Sequence, residues 1–324
     1  MTRALAFFLA ASALLAADFP QAEISNGRVR ATLYLPDPVR GYYRATRFDW
    51  SGVIASLEAA GHRYFGVWFP RYDPHHHDSI TGPVEEFCTG TSALGYDEAA
   101  PGATFIRIGV GILRKPDAAP FNRFKTYEIV DPGRWVIHTR PDSVEFTHVL
   151  AGPASGYAYR YTKTVRLIRG KTRMVIEHRL KNTGTKPIET NVYNHEFFVI
   201  DNQPSGPDFS VSFPFTPRAT GDFRGLVAVR GNRLVYLREI APAASDWAQL
   251  QLTGFGSTPK DFDIRVENRR TGAGVRVRGD QPLWKIIFWT IRSTICPEAY
   301  VNFRIAPGKE ARWRLVYDFY GLGQ

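Results

Sequence analysis

Short runs of alternating apolar and polar residues, each stopped by turn chemistry, fill most of the chain. Val29 to Leu35 alternates and ends at Pro36-Asp37-Pro38, and Phe105 to Leu113 alternates and ends at Lys115-Pro116-Asp117. The same pattern recurs at Arg134–Thr139, Ser143–Val149, Tyr157–Leu167, Arg173–Lys181 and Ile188–Tyr193. It resumes at Arg233–Glu239, Trp247–Leu252, Phe262–Asn268, Gly274–Arg278, Leu283–Ile291, Tyr300–Ile305 and Glu310–Tyr320. Asp131-Pro132-Gly133, Arg169-Gly170-Lys171 and Asn182-Thr183-Gly184 fall between runs and read as hairpin turns. A period of two puts alternate side chains on opposite faces of a sheet, so the series predicts an all-β, antiparallel fold. With 28 Gly and 22 Pro among 324 residues, a helical bundle is excluded, and 44% hydrophobic residues exclude a disordered chain.

Ser51 to Ala60 reads equally as a short helix or as a strand pair. Asn202 to Thr220, with its prolines, reads as a long loop within the sheet series. No linker or repeat divides the chain. One large β-sandwich over residues 18–324 is the economical reading, and two stacked sandwiches of half that size are the alternative.

The first residues follow a different logic. Arg3 precedes an apolar stretch, Ala4 to Leu15, and small residues follow at Ala16 and Ala17. This is the pattern of a signal peptide spanning residues 1–17, cleaved near Ala16 or Ala17, and it predicts a secreted or periplasmic protein. The apolar stretch is too short for a mature membrane span, and no later segment qualifies as one. The two cysteines, Cys88 and Cys296, either pair in an oxidising compartment or remain buried thiols.

Chemistry is concentrated in two places. In Asn191-Val192-Tyr193-Asn194-His195-Glu196, alternation puts Asn191, Tyr193 and His195 on one face and Val192, Asn194 and Glu196 on the other. Aromatic rings beside amides and an imidazole suit a sugar-binding surface, while a structural histidine at a strand end is the plainer alternative. Farther on, Glu298 follows an apolar run and Pro297. Partial desolvation there would raise its proton affinity and suit it to general-base work; an exposed loop glutamate is the alternative.

Together these segments resemble the galactose mutarotase-like family of aldose 1-epimerases and hexose-6-phosphate mutarotases. Asn194-His195-Glu196-Phe197-Phe198 is similar to the family strand that carries a catalytic histidine. Thr271 to Val277, Cys296-Pro297-Glu298 and Ala306-Pro307-Gly308 follow in the family's order across residues 155–324. The resemblance implies the large antiparallel sandwich, or supersandwich, of that family. It also implies carbohydrate as ligand, Glu298 as base and His195 as acid in sugar ring opening, and no metal or cofactor.

The N-terminal half departs from the family. Gly66 to Tyr72 looks like the segment before a family motif whose histidine binds sugar hydroxyls, but Asp78 to Phe87 stands where that motif belongs. Arg71 is the expected ligand-binding cation, with Glu85, Glu86, Asn194, Tyr193 and His77 as further candidates. A sandwich that binds carbohydrate without turnover is the competing reading, because fold does not fix function.

His75-His76-His77 suggests a metal site, yet neighbouring side chains on an extended chain point apart, and a loop without metal is expected. The formal net charge is +10, from 41 Lys+Arg against 31 Asp+Glu. The basic residues lie scattered over strands without a nucleic-acid-binding module, so nucleic acid is not expected as a partner. An acidic polysaccharide or an anionic envelope surface fits the charge better.

Overall fold

The structure is a computed structural model that describes residues 19–151, 155–242 and 246–323. The expected signal peptide, residues 1–17, lies outside the described residues.

Two sheets form the sandwich, and all their strand pairings are antiparallel. The ten-stranded sheet runs Val227–Arg230, Arg233–Tyr236, Phe209–Ser212, Asp263–Asn268, Ala273–Gly279, Glu310–Gly321, Arg173–Asn182, Tyr159–Leu167, Ser143–Leu150 and Arg134–Arg140. The six-stranded sheet runs Arg218–Asp222, Trp247–Thr253, Lys285–Ile291, Thr294–Ile305, Ile188–His195 and Val84–Cys88. Smaller sheets, Gln21 to Phe65 and Thr104 to Asp131, carry the N-terminal strands. Alternation explains the core. Ile176, Leu180 and Leu315 from the large sheet and Val192, Ile286 and Val301 from the smaller one belong to the same buried cluster. A second cluster, including Phe48, Trp50, Trp68, Tyr96 and Phe197, packs on the opposite face of the six-stranded sheet. That sheet is therefore covered on both sides.

Two details differ from the sequence expectation, and one left open is settled. Phe105 to Leu113 is a hairpin, Thr104–Arg107 and Gly111–Arg114, rather than one strand. Gly109 turns the chain at φ +80°, and a side chain there would run into the Asp49 carboxylate. The segment Asn202 to Thr220 contains the strand Phe209–Ser212 and the start of Arg218–Asp222. Ser51 to Ala60 resolves to a strand, Val53–Ala59. Cys88 and Cys296 are both buried free thiols.

Candidate functional site

The register of the six-stranded sheet brings the two main candidates together. The strands Ile188–His195 and Thr294–Ile305 pair from Ile188↔Ile305 to Tyr193↔Tyr300. They meet again at Phe198↔Ile295, where each backbone N–H bonds the other's carbonyl at 3.2 Å. Both contacts belong to one continuous register, which sets His195 opposite Glu298 and Glu196 opposite Pro297. Counting back from the hydrogen-bonded Phe198–Ile295 pair, Glu196 and Pro297 would form the next such pair, but proline has no N–H to give. The ladder opens there. His195 and Glu298 occupy a non-hydrogen-bonded position, where facing side chains stand closest. His195 Nε2 lies 3.3 Å from Glu298 Oε1.

Around this pair is a cleft of about 500 Å³. Trp289, Ile287 and Lys285 come from the neighbouring strand, Gln249 from the next, and Phe121, Arg123 and Phe124 from a loop above. Trp289 meets the His195 ring edge-on at 5.5 Å, and Phe197 stacks on it at 3.7 Å. Phe197 reaches that position with φ +40°, outside the extended region that the strand before it adopts. Gly82 leaves space for this turn, since a side chain there would run into the Glu196 carbonyl.

Burial governs the protonation of the pair. It lifts the Glu298 carboxyl to about 8; Arg47 pulls that value down, Glu86 pushes it up, and the Tyr300 hydroxyl, donating to Oε2 at 3.1 Å, steadies the ionised form. Burial, with Arg47 beside it, drives the His195 imidazole well below its ordinary value. His195 Nδ1 has no hydrogen-bond partner among the described residues. Near neutrality the pair therefore holds one proton, on Glu298, beside a neutral imidazole.

Glu86 lies buried beneath the lining of the cleft. It lies opposite Tyr193 in register and accepts that hydroxyl's hydrogen bond at 2.5 Å. Its carboxylate also faces Arg47 at 3.0 Å, Arg107 at 3.4 Å and Arg123 at 3.4 Å. Burial alone would raise its proton affinity, but Arg47, then Arg123 and Arg107, more than offset this and hold it well below the usual carboxylate range. Arg47 also reaches Asp78 at 2.6 Å and lies against the rings of Phe48 and Phe124. The backbone places it: Asp49 N–H donates to the Glu85 carbonyl, which ties the Arg47 segment to the strand Val84–Cys88.

The sequence candidates thus divide. His195, Glu298 and Tyr193 line the cleft, while Glu86 lies fully buried behind Tyr193 and holds the arginines that do line it. Glu85 and Asn194 point the other way, as alternation requires. Asn194 Nδ2 donates to Glu85 Oε1 at 3.0 Å inside the sandwich, where Glu85 also meets Lys163 and, at 3.4 Å, His178. Arg71 is exposed and outside the cleft, whose cations are Arg47, Arg123 and Lys285. His77 does not line the cleft; it bonds Asp78, which does, at 3.2 Å. His76 stacks on His77, and among the described residues no group of three or more His, Cys, Asp or Glu side chains is arranged to hold a metal ion. Arg47, Arg123 and Lys285 are the residues the sequence reading missed. Only an arginine beside an aromatic residue, as in Arg47-Phe48, offered a signal.

No family model and no curated protein sequence matches the chain. Its fold does have solved counterparts. A GalM/aldose epimerase homologue from C. elegans superposes with a TM-score of 0.57 at 14% identity, over 94% of this chain and 99% of that one. A putative aldose 1-epimerase from Escherichia coli K12 gives 0.55 at 12% identity, over 93% and 99%. A galactose mutarotase related enzyme from Lactobacillus acidophilus gives 0.55 at 11% identity, over 94% and 98%. The chain has the galactose mutarotase-like β-sandwich fold.

Proposed function

We propose that the cleft binds the reducing end of a sugar and interconverts its anomers by acid–base ring opening, as the names of the fold's solved counterparts suggest. The observation that carries this reading is the His195–Glu298 pair, 3.3 Å apart at the base of a cleft about 500 Å³ in volume. Ring opening needs one group to take the proton from the anomeric hydroxyl while another delivers a proton to the ring oxygen. The C1–O5 bond breaks, the aldehyde turns about C1–C2, and closure on the other face returns both protons.

A pair holding a single proton supplies one donor and one acceptor at once. In the neutral pair that proton rests on Glu298. Its transfer to His195 gives a carboxylate and an imidazolium, the state in which Glu298 acts as base and His195 as acid. Each transfer contributes about 10²–10⁴ in rate. Trp289 and the rings of Phe121 and Phe124 offer surfaces for the sugar's apolar faces, and Gln249, Arg47, Arg123 and Lys285 offer donors to its hydroxyls. The cations extend the substrate class to sugars that carry an acidic group.

A binding protein without turnover is the second reading. The side chains of His195 and Glu298 are only 5% and 7% exposed, so a ligand held higher in the cleft would not touch them. Saturation-transfer NMR on neutral and acidic aldoses, with and without protein, separates the two. Exchange between α and β anomers above the spontaneous rate supports the enzyme; line broadening without exchange supports the binder.

A further inference from the structure

The cleft is one outlet for the net charge of +10, reduced by Asp78 and Glu86, which pair with its arginines. A second lies on the opposite side of the molecule. On the outer face of the ten-stranded sheet, register sets Arg160 directly opposite Lys181 and Arg179 directly opposite Arg312. Like charges facing each other across strands are destabilising. Glu310, the carboxylate opposite Lys181, instead bonds Arg179 at 2.7 Å and Arg312 at 2.7 Å. Among the described residues Arg160 and Lys181 have no carboxylate within 4 Å. Both are exposed, and with Arg179 they line a groove of about 290 Å³ shared with Thr147, Thr162 and Thr183.

This arrangement is a grid of cations, spaced by about 5 Å across strands and about 7 Å along them, with hydroxyls between. A polymer of acidic sugars presents carboxylates at a comparable step and hydroxyls to meet the threonines. A lipid surface fits less well, because interfacial binding uses inserted apolar side chains and none of the exposed large apolar residues lies on the strands Tyr159–Leu167, Arg173–Asn182 and Glu310–Gly321 that carry these cations. Single-stranded nucleic acid would call for exposed aromatic rings to stack its bases, and the face presents none. We propose that the outer face of the ten-stranded sheet around Arg160, Arg179, Lys181 and Arg312 binds an acidic polysaccharide through its carboxylates. This surface is independent of the cleft and of any turnover there.

The test uses the full chain and polygalacturonate as probe, with neutral dextran, phosphatidylserine vesicles and single-stranded DNA as comparators. The wild-type protein binds polygalacturonate most tightly of the four, and affinity falls as salt rises. Arg160→Glu with Lys181→Glu lowers that affinity at least about tenfold, and Arg160→Gln with Lys181→Gln lowers it by less. The charge-matched control, Arg28→Glu with Lys260→Glu at exposed sites off this face, changes it less than about twofold. Unchanged thermal midpoints show that the variants fold. Equal loss in the control, tighter binding to vesicles or DNA, or no binding of polygalacturonate overturns the proposal.

Discussion

Glu85 and Glu86 are neighbours on one strand, both fully buried, and they face opposite ways. Glu85 points into the sandwich, where Lys163, His178 and Asn194 enclose it and Asp49 lies 3.8 Å from the same lysine. Glu86 points to the cleft, where Arg47, Arg107, Arg123 and Tyr193 converge on it. The first cluster is sealed. The second borders a space large enough for a sugar, and two of its cations, Arg47 and Arg123, line that space. One strand thus spends one carboxylate on internal order and the next on presenting cations to a ligand.

Breaking the sealed cluster has the larger effect on stability. Lys163→Met leaves Glu85 and Asp49 buried without their lysine, and we expect a loss of about 3–5 kcal/mol in chemical denaturation. Adding Glu85→Gln to that variant recovers part of the loss. Glu86→Gln is milder, about 2 kcal/mol, because Arg47 keeps Asp78 and Arg107 keeps its backbone carbonyls. Its loss shrinks in acid. A carboxylate held below its unfolded value contributes stability above that value, and the contribution disappears as pH falls through the folded one.

Glu298 has the opposite sign. Its folded value, about 8, lies above the unfolded one, so its contribution is complete in acid and is lost as pH rises through about 8. Glu298→Gln should therefore gain stability relative to the wild-type protein as pH rises from about 5 to about 8 and level off above that, read from melting curves across that range. The same proton sets the predicted pH profile of anomer exchange. Above about pH 8 the pair has lost its acid and the rate falls, whereas the low value of His195 keeps the rate up well below pH 6.5. The smallest effect belongs to Arg71→Ala. At an exposed position outside the cleft it should shift stability by less than about 0.5 kcal/mol and leave sugar affinity unchanged in calorimetric titration.

Alternation made most of the fold legible, because a period of two records which face of a strand is buried. It also placed Tyr193 and His195 together on one face. Glu298 came into view through its place after an apolar run and Pro297 and then through family-like motifs, and its meeting with His195 depends on a strand register that no local pattern encodes. Alternation likewise implied that Glu85 and Glu86 face apart, but not which of them meets the cleft. That is fixed by the pairing of Glu86 with Tyr193. Arg47 was out of reach because its position comes from a backbone bond between Asp49 and Glu85, residues far apart in sequence. In Phe105 to Leu113, alternation ran straight across a turn because Gly109 and Gly111 stand where small residues on a strand would also fit.

On this reading the proton shared by His195 and Glu298 opens a sugar ring. Saturation-transfer NMR on an aldose bound by both the wild-type protein and Glu298→Gln tests it most directly. We predict enhanced exchange between anomers with the wild-type protein and a loss of about 10²–10⁴ in the variant, with sugar affinity retained. Exchange at the wild-type rate in Glu298→Gln would contradict it.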